Sequence, residues 1–135
     1  MSILHDLLKD IPIPKMVRIR QRFDDTHIEN PTEVCRQKLN QSGVLEQFKK
    51  GQKVAVAVGS RGIANIAEIT REVIQALQET GAEPFIVPSM GSHGGATAEG
   101  QVEVLEHLGI SEKTMGAPIR SSMEVVQIDQ LENGL

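Results

Sequence analysis

The chain has 135 residues, 39% of them hydrophobic, and a net charge of −4 at pH 7. That suits one domain with one core. The negative balance, with three Phe and no Trp or Tyr, argues against general nucleic-acid binding. No apolar run approaches the roughly 20 residues of a membrane helix. A single cysteine, Cys35, excludes an internal disulfide and any multi-cysteine metal site.

Met1–Lys15 lacks the basic start and long apolar stretch of a secretory signal, so a cytoplasmic protein without a membrane partner is expected. Met1–Asp10 is amphipathic, with Ile3, Leu4, Leu7, Leu8 and Ile11 at helical spacing. Such a helix packs on the core or on a second copy, giving a homodimer; contact with a membrane surface is the weaker reading. Pro12 and Pro14 end it and lead into "KMVRIRQRF". Alternation there puts Val17, Ile19 and Phe23 on one strand face and Arg18, Arg20 and Arg22 on the other. The arginines read either as an anion-binding stripe or, preferred here, as the charged outer face of an edge strand. Asn30–Pro31–Thr32 opens a helix through Val34, Lys38 and Leu39 to Gly43, with Cys35 as a small buried hydrophobe. A second short piece covers Val44–Phe48.

From Lys53 the pattern becomes regular. "VAVAV", Val54 to Val58, is continuously apolar, as a strand covered on both faces should be. After Gly59–Ser60–Arg61–Gly62 comes a helix with Ile63, Ile66, Ala67, Ile69, Val73, Ile74 and Leu77 in one stripe. Asn65 with Glu68 predicts a capping box, and Gly81 a C-terminal stop. A strand at Phe85–Val87 runs into "PSMGSHGGATAEGQ". The next helix is capped by Thr97, turns Val102, Leu105 and Leu108 inward and stops at Gly109. A linker with Gly116 and Pro118 precedes a last strand, "MEVVQI", Met123 to Ile128. The pattern predicts an α/β fold: a Rossmann-like parallel sheet with right-handed crossovers and helices on both faces. Residues 1–135 read as one domain, with a helix/strand/helix region over 1–50 and a βαβαβ core over 51–135. Asn133–Gly134 is a hairpin-turn signal with only Leu135 after it, so the chain is expected to be the N-terminal part of a longer protein.

In a parallel sheet the loops after 54–58 and 85–87 emerge on the same carboxyl edge, where open α/β folds bind ligands. Both loops are glycine-rich and lead to helix N-termini, whose backbone N–H groups and dipoles favour anions. Ser60, Arg61, Gly62, Gly91, Ser92, Gly94 and Gly95 are therefore the expected binding residues, Arg61 adding a planar cation suited to phosphate or carboxylate. His93 is the candidate acid–base group. The plainer alternative, a loop histidine bonded to nearby backbone or facing water, stands beside it. His5, His27 and His107 carry no such context, and no His or Cys spacing predicts a metal site. There is no G-x-G-x-x-G, no P-loop and no G-x-S-x-G.

"VGSRGIANI" followed by "PSMGSHGGATAEGQ" resembles the lactate racemase (LarA-like) family, best over Val54–Leu108. The resemblance implies a racemase or epimerase of 2-hydroxy acids that uses a nickel–pincer nucleotide. A histidine pair exchanges protons while the cofactor accepts and returns a hydride at the same carbon. By that likeness His93 matches the first of the two histidines, and Ser60 and Arg61 match the loop that contacts cofactor phosphate or substrate. Two departures put lactate itself in doubt as substrate. The aspartate before the Thr-Arg pair is missing, and His93 is followed by Gly94 rather than arginine. The second histidine and the lysine and histidine cofactor ligands are implied beyond Leu135, so the isolated chain is expected to be inactive. The alternative from the residues themselves is a non-enzymatic nucleotide- or phosphate-binding module.

Overall fold

The βαβ unit forms where apolar spacing changes from strand to helix and back. The computed structural model describes residues 3–12 and 15–129. Strand β1 (Lys53–Val58) and strand β2 (Glu83–Pro88) pair in parallel, in register from Lys53 opposite Glu83 to Val58 opposite Pro88. Helix α1 (Ile3–Leu8), helix α2 (Pro31–Gln41) and a 3-10 turn at Val44–Gln47 precede β1. Helix α3 (Ile66–Glu79) crosses over between the strands. A 3-10 turn at Gly94–Ala96, helix α4 (Ala98–His107) and helix α5 (Glu112–Met115) follow β2. The architecture is mixed α/β around a two-stranded parallel sheet.

Register places Val56 beside Ile86 on one sheet face, and α3 and α4 cover that face through Ile74 and Leu105. Val58, Ile74, Ile86, Leu105, Ile110, Met115 and Ala117 form the core, and Ile74, Ile86, Leu105 and Ile110 have no exposed surface. Each such side chain contributes about 1.5–3 kcal/mol by leaving water. Gly81 (φ 86°) ends α3 in the left-handed conformation that glycine adopts without strain. Pro31 starts α2, and the Asn30 side chain accepts from the Glu33 N–H at 3.3 Å. The Arg36 guanidinium then ties α2 to α3 by forking onto Glu79 and reaching Glu72.

Several expectations are corrected. Residues 15–28 form no strand, and Val17, Ile19 and Phe23 are 80%, 81% and 77% exposed. Alternation supplies a face but no partner, and an unpaired strand is not stable in water. Helix α1 forms, yet Ile3, Leu7 and Leu8 are exposed rather than packed on the core. Strand β1 is covered on one side: Ala55 and Ala57 are exposed, and across from them Arg120 lies 4.5 Å over the Phe85 ring. The third segment to meet the sheet is Ile119, not 123–128. The Ile86 N–H donates to the Pro118 carbonyl, and the Arg120 N–H to the Ile86 carbonyl, each at 2.8 Å. Val125, Val126 and Ile128 stay exposed. Ile63 precedes α3 and is exposed. Asn65 sits at φ 59° and makes no capping bond, so the capping box with Glu68 does not form. Cys35 is half-buried. The Asn133–Gly134 turn lies outside the described residues. Among the described residues no helix is long and apolar enough to cross a membrane.

Candidate functional site

The parallel ladder continues one step past the strands. The Ser89 N–H donates to the Val58 carbonyl at 2.8 Å, so the two loops leave the carboxyl edge side by side. Gly59, Ser60, Arg61, Ser89, Met90 and His93 line an open cleft of about 240 Å³ there. Residues 33 apart in sequence are thus held within bonding distance.

The imidazole of His93 is held at both nitrogens. Its Nδ1 lies 2.5 Å from the Ser60 hydroxyl. Its Nε2 receives two N–H groups of Arg61, Nε at 3.1 Å and Nη2 at 2.7 Å. Ser60 and His93 are half-buried, and Arg61 is exposed. Proton carrier, hydroxyl and permanent cation therefore meet at one edge, an arrangement that can bind an anion and move a proton beside it.

The His93 backbone is built from below. Its N–H donates to the Met90 carbonyl, and its carbonyl accepts from Ala96, both at 3.3 Å. Gln101 is 6% exposed and donates through Nε2 to the Gly91 carbonyl at 2.8 Å. Thr97 caps α4, as expected, accepting from the Gly100 N–H at 3.0 Å. Gly94 (φ 64°) and Gly100 approach so closely that a Cβ on either would overlap backbone of the other.

Of the expected binding residues, Ser60, Arg61 and His93 meet at the cleft. Gly62, Gly91, Ser92, Gly94 and Gly95 are not among its lining residues; the four glycines all have positive φ and shape the loops. The helix N-termini are set back from the cleft lining. Five loop residues, 61–65, separate Ser60 from α3, and the first turn of α4 is closed by Thr97 and Gly94. Ser89 and Met90 line the cleft without having been anticipated. Gln101 was likewise missed, although a glutamine placed among the helix's inward positions is a legible signal. His27 hydrogen-bonds the Asp25 carbonyl through Nδ1 at 3.1 Å, and His107 ends α4 exposed. A larger cleft of about 330 Å³ opens at the amino edge, lined by Lys53, Glu83, Phe85 and Arg120 among others. Among the described residues it is lined by no histidine, cysteine or hydroxyl, so volume and chemistry point to different ends of the sheet, and the chemistry decides.

The groups with displaced pKa values lie elsewhere. Burial, and then the Glu72 charge, push the Cys35 thiol up, against a smaller opposing effect of Arg36. The Thr26 hydroxyl and N–H bonds hold Asp24 below the usual carboxylate range. Among the described residues no group of three or more His, Cys, Asp and Glu side chains could hold a metal ion. The chain matches no family model, no curated protein and no solved structure.

Proposed function

We propose that this chain carries one half of a racemase or epimerase site for 2-hydroxy acids, built on a Rossmann-like sheet in a cytoplasmic protein. The observation that supports this reading is the convergence of Arg61, Ser60 and His93 on one cleft. Inverting a carbon beside a carboxylate needs an anion clamp and proton carriers. Arg61 is the clamp, and His93 takes the proton of the substrate hydroxyl and returns it.

A nickel–pincer nucleotide, when bound, supplies acceptance and return of a hydride at the inverted carbon. The residues present fit its phosphate end or the substrate carboxylate at the Arg61 fork, one anion at a time. They do not fit its metal, for which the described residues offer no donor cluster.

The test is racemisation of a 2-hydroxy acid by the cofactor-loaded gene product, followed by chiral chromatography. His93→Ala should lower the rate at least about 100-fold while nucleotide binding persists. A rate that survives the substitution rejects the role. One observation favours a second reading, a nucleotide- or phosphate-binding module: among the described residues His93 is the single histidine lining the cleft. Calorimetry of the 135-residue chain with a nucleotide would then show micromolar affinity with no turnover.

A further inference from the structure

We propose that His93 is a capped base: Ser60 fixes its tautomer, Arg61 covers its lone pair, and a small carboxylate or phosphate uncaps it by drawing off the Arg61 fork. This deepens the reading above and rests on it for the chemistry that follows uncapping. A guanidinium only donates, so the two Arg61 N–H groups on Nε2 require an unprotonated nitrogen there. The ring proton then sits on Nδ1 and is donated to the Ser60 oxygen. Nε2, the nitrogen on the Arg61 side, thus carries the lone pair a base needs, and Arg61 occupies it.

The cap is matched poorly to its partner. A guanidinium edge presents two parallel N–H groups suited to two acceptor atoms, whereas here both converge on one nitrogen. A carboxylate or phosphate offers two oxygens to the same edge and adds opposite charge. Arg61 is exposed on a long side chain, while Ser60 and His93 are half-buried, so the arginine is the part free to swing. The adjoining cleft of about 240 Å³ leaves room for a small organic acid. Binding the anion and exposing the base then become one event. Ser60 is a positioning residue, since it acts only through the ring.

Long-range proton–nitrogen NMR of the ¹⁵N-labelled 135-residue chain at about pH 8.5 tests this directly. His93 signals are assigned by their loss in His93→Gln, and backbone spectra confirm that each variant folds. The wild type should show the proton on Nδ1, and Ser60→Ala should lose that preference. Acetate and inorganic phosphate should each shift Nε2 saturably in the wild type, and Arg61→Gln should weaken that binding at least about tenfold. The proposal is overturned by a proton on Nε2 in the wild type, by an anion that binds without moving Nε2, or by no saturable shift with either anion. Failure of racemisation with these NMR results intact would remove the racemase reading and leave the cap standing.

Discussion

Gly94 and Gly100 interlock, backbone against backbone, directly beneath the loop that presents His93. Gly100 is the sharper probe because its φ lies outside the positive range that would itself strain an alanine. Gly100→Ala should cost about 1–3 kcal/mol in urea unfolding, as overpacking does, and should perturb the His93 ring signals. Unchanged stability with an unmoved His93 would show that the close approach is dispensable.

The two helix starts near the site should respond differently. Thr97→Ala removes the hydroxyl that accepts the Gly100 N–H and should cost about 1 kcal/mol. Asn65 makes no cap bond and sits at φ 59°, so Asn65→Gly should be neutral or slightly stabilising. Thermal unfolding of both variants checks the pair; a loss at Asn65 matching that at Thr97 would contradict the geometry.

Arg36 bridges α2 and α3 through two carboxylates, with Glu72 mostly covered and Glu79 largely exposed. Arg36→Ala should cost about 1 kcal/mol in urea, because the pair is partly screened by water. Arg36→Lys should recover little of it, since an ammonium cannot reproduce the fork onto Glu79. Full recovery by lysine would mean that charge alone holds the helices.

Cys35 offers a pH-dependent readout. Its raised folded-state pKa means the half-buried neutral thiol contributes stability below the ordinary thiol range, and that contribution is lost as pH rises through the folded value. Iodoacetamide at about pH 8 should label the native chain several-fold more slowly than the urea-unfolded chain, because less thiolate is present. Cys35→Ser should flatten the alkaline loss of stability. Equal labelling rates would refute the shielding.

Core and surface substitutions should separate cleanly. Ile74→Ala or Leu105→Ala should each cost about 2–5 kcal/mol, since both side chains are wholly enclosed. Val125→Ala, at 93% exposure, should stay within about 0.5 kcal/mol. Urea midpoints compare them.

The βαβ unit was legible because each of its parts is specified locally. Val54–Val58, the stripe from Ile66 to Leu77 and the stops at Gly81 and Gly109 leave one way to bury the apolar face. The meeting of Arg61 with His93 followed from topology, since consecutive parallel strands must release their loops on one edge. Partnership was not legible. Lys15–Phe23 and Met123–Ile128 carry strand-like patterns, but a pattern does not state which edge will receive it. Ile119 joined the sheet instead, because the Pro118 carbonyl and the Arg120 N–H bracket Ile86 at the right spacing. The Gly94–Gly100 approach was hidden for a similar reason, as glycine writes the same letter for a turn as for a close contact.

Because adjacent strands set the gap between the Ser60–Arg61 turn and the His93 turn, the reach of these side chains toward each other is measured by one ladder rung, about 4.8 Å, rather than by α3. The crossover can therefore drift in length and composition over evolutionary time while the spacing of the reactive groups stays constant.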